Sequence, residues 1–252
     1  MDSIADSREM IKHKKQKGRT REYFEAITVA FVVVMILRVS IVQAYHVPTG
    51  SMKSTVLEGD YLLVNKFIYG IHLPDTIPFT GIDISSLRLP AFKEPRQGEI
   101  VVFKYPRNPS LNYVKRCIAV GGQVVEIRDG LTYVDGQPEG KSRFVGITTD
   151  EKEGAIRNFK ITRLDGSEYS IRHYQHTSAE MLNMGPIQVP KDHFFMMGDN
   201  RDNSSDSRHW GFVPRKNIVG EAMLVYWSTR EGHPFYDVLG KIRWPRVGKV
   251  LN

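Results

Sequence analysis

The feature that most constrains this chain is an apolar run near its beginning, "AITVAFVVVMIL", which extends from Ala26 to Leu37. Counted outward to residues 23 and 42, the stretch reaches the ~20 residues that a helix needs to cross a bilayer. The basic segment "KHKKQKGRTR" precedes it directly. Because Lys and Arg stay on the cytoplasmic side of a first membrane span, we expect a basic cytoplasmic tail over 1–21, a transmembrane anchor over 22–44 and an extracytoplasmic remainder.

Two other interpretations of this segment remain open. The basic stretch, the apolar stretch and "VQA" at Val42–Ala44 also resemble a cleavable signal peptide. A core helix of a soluble protein is the third interpretation, but it does not explain the dense basic run in front of it. The many β-branched residues of the run suit lipid better than an isolated helix in water. The anchor is therefore the prediction that we carry forward.

The net charge is concentrated in the amino-terminal tail. The whole chain carries +7, and seven basic against three acidic residues give the first 21 residues +4 of that. No nucleic-acid-binding motif accompanies this tail, so we expect no nucleic acid partner. Cys117 is the only cysteine, which excludes an intrachain disulfide and zinc sites built on several cysteines. We expect it to be a small buried apolar residue.

Beyond residue 45 the pattern changes to short β runs separated by turn residues. Two Asp-Gly pairs, Asp129-Gly130 and Asp165-Gly166, lie between alternating apolar runs and predict hairpins. The sequence therefore predicts a mainly β domain over 45–137 and 191–252, with 138–190 as an inserted cap subdomain and 71–97 as a long insertion. The predicted strands are 61–70, 98–106, 113–122, the two halves of 123–137, 161–174, 193–200 and 220–227.

Two short segments contain candidate catalytic residues. "PTGSM" places Ser51 in a tight turn behind the apolar segment, and "YVKRCIAVGG" places Lys115 in an unusually apolar run. A serine hydroxyl needs a base to become nucleophilic, and no histidine of the chain falls in a recognisable nucleophile–base motif. A lysine can be that base when burial lowers its pKa. By themselves, Ser51 could equally be a turn residue and Lys115 a solvent-facing strand residue.

A third segment, "GDNRDNSSDSRHWGFVP" (198–214), is long and rich in polar side chains. Its spacing does not match a calcium-binding EF-hand loop. Together with "PTGSM" and "YVKRCIAVGG", in this order behind an anchor, it resembles the motifs of bacterial type I signal peptidase. The resemblance covers about residues 22–136 and 190–230. It implies a signal-peptidase-like, mainly β ectodomain behind a single transmembrane helix, and a Ser/Lys-dyad endopeptidase that cleaves signal peptides after Ala-X-Ala-type sites.

By this resemblance, Ser51 is the nucleophile and Lys115 is the general base. The backbone N–H of Ser51 and the hydroxyl of Thr49 would form the oxyanion hole. The residues expected to orient the base and support the site are Ser204, Asp206, Arg208 and Arg116. The residues expected to form shallow pockets for small substrate side chains are Val47, Pro48, Met52, Tyr113 and Val114.

The resemblance also implies a location and partners. We expect a single-pass protein of the bacterial inner membrane that uses no metal or cofactor. Its expected partners are the signal peptides of preproteins and the lipid bilayer, with the secretion translocon as a further candidate. The chain departs from some family members in showing one apolar segment instead of two, and in having a threonine at position 49 where some have serine; "VQA" would also suit self-cleavage.

Two rival functions remain open from the sequence. A self-cleaving Ser/Lys regulator would share the catalytic residues, but it would need a DNA-binding helix-turn-helix where the basic tail and apolar run stand. A non-catalytic, membrane-anchored β binding module would leave Ser51 and Lys115 dispensable.

Overall fold

The computed structural model describes residues 20, 22–30, 42–70, 90–178, 182–230 and 237–251. Residues 22–30 are helical and belong to a compact unit separate from the β-rich part of the chain. Within the described ranges, no helix is long and apolar enough to cross a membrane. Nearly all of the predicted tail and residues 31–41 of the predicted anchor lie outside the described residues, so the anchor stays a prediction.

The β structure begins earlier than the predicted end of the anchor. Val42–His46 form the first strand, β1, which pairs antiparallel with Asp60–Asn65, β2. Residues 42–44, which the sequence placed at the end of the anchor, are therefore strand. Local periodicity could not reveal this, because a three-residue segment such as "VQA" is too short to show either the helical or the strand period.

The remaining elements are mostly strands. After β2 come β3 (Ile100–Tyr105), β4 (Asn108–Val120), β5 (Val124–Arg128), β6 (Leu131–Val134), β7 (Gln137–Pro138), β8 (Lys141–Asp150), β9 (Gly154–Thr162), β10 (Glu168–Tyr174), β11 (Met184–Gln188), β12 (His193–Met197), β13 (Val213–Pro214), β14 (Ile218–Ser228) and β15 (Lys249–Val250). The short helices are α1 (Ser207–Trp210) and α2 (Val238–Lys241), and the 3₁₀ turns are Gly50–Met52, Arg215–Asn217 and Trp244–Arg246.

The described strands form three antiparallel sheets, which confirms the mainly β prediction. The largest has eight strands in the order β1-β2-β14-β3-β4-β12-β13, with β15 paired to β14. A four-stranded sheet has the order β11-β5-β6-β7, and a three-stranded sheet has the order β10-β9-β8. Strand β4 lies in the interior of the large sheet, between β3 and β12, so a side chain on it can be buried on either face.

Both predicted hairpins are present. Strands β5 and β6 are joined through Asp129 and Gly130 with φ of 51° and 77°, the positive values that a primed two-residue turn requires. Strands β9 and β10 are joined by a longer loop that contains Gly166 with φ of 80°. The other predicted strands are also found with shifted ends, and β4 begins five residues before the predicted start at 113.

The two predicted insertions differ in what the structure describes. Of residues 71–97, the range 71–89 lies outside the described residues. Within 138–190, β8, β9 and β10 form their own sheet around a small apolar cluster of Ile161, Tyr169 and Ile171. Strand β11, however, pairs with β5 in the four-stranded sheet. The assignment of 138–190 as a separate cap subdomain stays a prediction.

Apolar clusters line both faces of the large sheet near the middle of β4. One contains Met52, Leu62 and Val102, and another contains Val101, Phe103 and Cys117. The cysteine is fully buried, and burial raises the pKa of its thiol, so it packs as the small apolar residue that the sequence predicted. These clusters give the neighbouring polar side chains of β4 a dry environment.

Candidate active site

Ser51 lies in the 3₁₀ turn Gly50–Met52, just after β1. Met52 and Val56 are fully buried in the apolar cluster beneath this turn. The backbone closes the turn through the N–H of Lys53, which donates to Gly50 O at 3.0 Å. Burial of Met52 holds the turn on the sheet, so Ser51 itself is only 9% exposed.

Lys115 reaches Ser51 from the middle of β4. Its side chain is 3% exposed, and its Nζ lies 2.5 Å from Ser51 Oγ and 3.1 Å from Val114 O. Burial lowers the pKa of Lys115 to about 8; the negative charges of Asp206 and Asp199 oppose this effect, and Arg208 adds to it. A neutral amine is therefore available at mildly alkaline pH, and a neutral amine can accept a proton from a hydroxyl.

Arg116, the next residue of β4, belongs to a buried group that we call the Arg116 cluster: Arg116, Asp199, Thr55 and Tyr169. Nε and Nη2 of Arg116 donate to the two carboxylate oxygens of Asp199 at 2.9 and 2.8 Å. Thr55 Oγ1 donates to Asp199 at 2.5 Å, and the Tyr169 ring lies 3.8 Å from Arg116 Cζ. Burial alone would lower the pKa of Arg116, but Asp199 outweighs it and raises the pKa, so this side chain stays charged.

Asp206 and Arg208 form a second ion pair beside the site. Arg208 Nε and Nη2 each donate to Asp206 at 2.8 Å, and the backbone N–H of Gly198 donates to the same carboxylate at 3.0 Å. Burial would raise the pKa of Asp206, but Arg208 overcomes this and lowers the pKa. The pair closes the loop 198–208 on itself; its predicted part in supporting the base stays a prediction.

Ser204 is buried in this loop, and its predicted role in orienting the lysine stays a prediction. The hydrogen bonds of Lys115 Nζ go to Ser51 and Val114, whereas the hydroxyl of Ser204 interacts with Asp206 and helps to lower the pKa of that carboxyl. Ser204 also packs against Gly198. A Cβ at position 198 would lie 2.3 Å from Ser204 Oγ and 2.4 Å from Ser51 O, so only glycine lets this loop approach the nucleophile turn so closely.

A groove of about 280 Å³ opens over Ser51 and Lys115. Of the predicted pocket residues, Val47, Pro48, Tyr113 and Val114 line it, as does Thr49. Met52 does not, because it is fully buried in the core beneath the turn. Further lining residues, which the sequence did not single out, are Tyr45, His46, Leu62, Val102, Asn112, Asn203 and Ser205.

Sequence reasoning missed one residue that holds the nucleophile turn directly. The backbone N–H of Asn200 donates to Ser51 O at 3.1 Å, and its side-chain amide donates to Gly50 O at 3.1 Å. Asn200 and Asp199 both belong to the polar segment 198–214, but nothing local distinguishes them from their neighbours. Their roles depend on segments that are distant in the chain.

Comparisons with known proteins agree with the resemblance seen in the motifs. A family model described as "Signal peptidase, peptidase S26" matches residues 20–227. Signal peptidase I of Pseudomonas fluorescens is 35% identical over 221 residues, which are 83% of this chain and 73% of that protein. Signal peptidase I of Aquifex aeolicus is 32% identical over 242 residues, which are 83% of this chain and 85% of that protein.

Solved structures of related proteins also match. The crystal structure of a signal peptidase I from Enterococcus faecalis is 25% identical and covers 51% of this chain and 97% of its own. Its TM-score of 0.31 is too low to bear on the fold.

Proposed function

This chain belongs to the signal peptidase family, peptidase S26, and is a serine endopeptidase; from this we propose that it removes the signal peptides of exported preproteins with a Ser51/Lys115 dyad. The observation that best supports the dyad is the 2.5 Å contact between Lys115 Nζ and Ser51 Oγ in a buried site. No histidine is needed, because desolvation already brings the pKa of Lys115 to about 8.

In the proposed reaction, neutral Lys115 takes the proton of Ser51 as Oγ attacks the carbonyl carbon of the scissile peptide bond. The resulting ammonium then donates that proton to the leaving amine as the C–N bond breaks, which leaves an ester on Ser51. A water molecule, deprotonated by the same amine, hydrolyses the ester and releases the signal peptide. The proton of each step thus passes through one nitrogen atom.

The negative charge that develops on the carbonyl oxygen needs hydrogen-bond donors. We assign this role to the backbone N–H of Ser51 and the hydroxyl of Thr49. The first lies in the opening turn of a 3₁₀ helix, where backbone N–H groups have no partner within the helix. The second lies two residues earlier, lines the groove and makes no hydrogen bond that caps the turn, so it can turn toward a substrate.

The groove favours small side chains next to the scissile bond. Its volume of about 280 Å³ is shared by several substrate residues, and Val47, Tyr113 and Val114 narrow it beside Ser51. We propose that these walls restrict the nearest substrate positions to alanine-sized groups. Strand β1 is the edge of the large sheet and leads into the groove, so an extended peptide can pair with it.

Membrane anchoring is part of the same proposal. The apolar run that follows the basic tail would hold the enzyme in the bacterial inner membrane, with the tail in the cytoplasm and the β domain outside it. Large apolar side chains of the described helical residues are exposed, namely Tyr23, Phe24, Ile27 and Val29, and lipid would cover them.

Protease digestion of intact spheroplasts tests this topology. Added protease should digest the β domain and spare the tail; the reverse pattern would contradict the proposal.

A cleavage assay with a purified preprotein tests the activity. The full chain in detergent should cut after a small residue, and Ser51→Ala should abolish the cut. Ser54→Ala, in the same segment three residues later, is the matched control and should retain activity. Processing of the chain itself without cleavage of added preprotein would favour the self-cleaving regulator. Full activity of Ser51→Ala would contradict the proposed Ser51/Lys115 dyad.

A further inference from the structure

Backbone hydrogen bonds join the three-stranded sheet β8–β10 to the polar loop 198–208. The N–H of Arg172, in β10, donates to Asp199 O, and the N–H of Arg201 donates to Arg172 O, both at 3.0 Å. These two bonds flank Asn200, which in turn holds Ser51 O and Gly50 O. The inserted sheet is thus attached to the backbone that supports the nucleophile turn.

A single carboxylate extends this connection to the groove. Glu153, in the turn between β8 and β9, has a side chain that is 7% exposed. Its Oε1 accepts from Asn203 Nδ2 at 2.7 Å, from Asn200 Nδ2 at 3.3 Å and from Lys53 Nζ at 3.3 Å. Its Oε2 pairs with Arg172 Nη2. Asn203 lines the groove, and Lys53 follows the nucleophile turn directly.

We propose that Glu153 is a positioning residue for the reaction, which acts by aiming the amides of Asn200 and Asn203 at the nucleophile turn and the groove. The amide of Asn200 is held between Gly50 O and Glu153, and the hydrogen bond of Asn203 Nδ2 goes to Glu153, so loss of the carboxylate would loosen both amides. The amide of Asn200 donates to Gly50 O, the residue before the nucleophile, so fixing this amide helps to fix the direction of Ser51 Oγ. The inference rests on the proposed function of Ser51 and deepens it by giving the inserted sheet a part in catalysis.

The same turn contains a carboxylate that separates positioning from simple charge pairing. Asp150 contacts the same two cations as Glu153, Lys53 Nζ and Arg172 Nη2, each at 3.3 Å. Its remaining hydrogen bonds go to the backbone N–H groups of Lys152 and Glu153 and not to either asparagine. If neutralising the cations were all that mattered, the two acidic residues would be equivalent.

The test compares steady-state preprotein cleavage by the full-length enzyme and its variants. Glu153→Ala should lower kcat about 10- to 100-fold with KM within about twofold, because small displacements of reacting groups have effects of this size. Glu153→Gln keeps an oxygen for the two amides and should recover most of kcat. The matched control Asp150→Asn should cleave at close to the wild-type rate. Thermal unfolding of each variant is measured alongside.

Each outcome decides between the alternatives. Equal losses in Glu153→Ala, Glu153→Gln and Asp150→Asn would overturn the proposal in favour of charge pairing, as would a rise in KM alone. If Glu153→Ala does not fold, Glu153→Asp replaces it, since this variant keeps the charge but withdraws the carboxylate from Asn203; a wild-type kcat would then overturn the proposal. Absence of cleavage by the wild-type enzyme would instead contradict the proposed function.

Discussion

Lys115 and Arg116 are neighbours on β4, are almost equally buried, and differ in every other respect. Lys115 faces a groove, and its closest polar partner is the uncharged hydroxyl of Ser51. Arg116 lies in a closed cluster, with both oxygens of Asp199 against its guanidinium. Burial therefore lowers the pKa of Lys115 to about 8, whereas Asp199 raises that of Arg116. Both cations are buried, so the difference in their pKa values comes from their partners. The cation beside a neutral hydroxyl can lose its proton and act as a base, whereas the cation beside a carboxylate stays charged.

The lysine destabilises the fold at neutral pH. Its pKa falls from 10.5 unfolded to about 8 folded, so between these values the unfolded state binds more protons and stability rises with pH. Below about pH 8 both states are protonated, and the folded protein carries the whole penalty, about 3 kcal/mol. Burial also disfavours the charge of Arg116, but Asp199 outweighs this effect and raises the pKa of Arg116, so Arg116 causes no such loss of stability at neutral pH.

The largest expected effect is that of Lys115→Met, which removes the base and the buried charge together. Cleavage should fall by ~10²–10⁴-fold, the usual contribution of a general base. Stability at pH 7 should rise, by as much as about 3 kcal/mol. Preprotein cleavage and chemical denaturation measure the two quantities. Lys104→Met, on the neighbouring strand, is the control and should change neither much; a destabilised Lys115→Met would mean that the lysine supports the fold.

Arg116→Met should destabilise the fold, whereas Lys115→Met should stabilise it. Removing the cation leaves the buried Asp199 carboxylate with the Thr55 hydroxyl but without a positive charge, which costs about 3–5 kcal/mol of folding free energy. The double variant Arg116→Met/Asp199→Leu removes both charges and should recover most of that loss. Denaturation curves of the three proteins check this. Equal stability of Arg116→Met and wild type would show that the cluster does not brace the fold.

Thr49→Val changes the groove without touching either buried cation. Thr49 is exposed and caps nothing, so the melting temperature should stay near that of the wild type. Loss of an oxyanion donor should lower kcat by ~10²–10³-fold, or about 3–4 kcal/mol, with little change in KM. Thr49→Ser should keep most activity. If the valine and serine variants have equal kcat, Thr49 only shapes the turn and has no part in the reaction.

The smallest expected effect is the pH dependence of the wild type. Only the neutral form of Lys115 accepts the proton of Ser51, so log(kcat/KM) should rise by about one per pH unit and level off near pH 8. Arg116 keeps its charge throughout and should add no inflection of its own. A rise in kcat/KM centred near pH 6.5 would indicate a histidine base. It would contradict the role of Lys115 as the base that distinguishes it from Arg116.

Much of this protein followed from its sequence. Alternating apolar runs and two Asp-Gly turns predicted the β character and both hairpins, because turn geometry and the period of a strand are local properties. Three short motifs predicted the family, and they named Ser51 and Lys115 as candidates. The family membership is confirmed, while the roles of the two residues remain proposals supported by their contact.

Other features depended on the tertiary structure alone. The pairing of Arg116 with Asp199 joins residues 83 positions apart, and the glycine at 198 is required by Ser51 O, which approaches from another segment. Met52 looked like a pocket residue in its motif but packs in the core. Desolvation, which sets the pKa of Lys115, is the sum of what many distant segments place around it, so no local pattern can contain it.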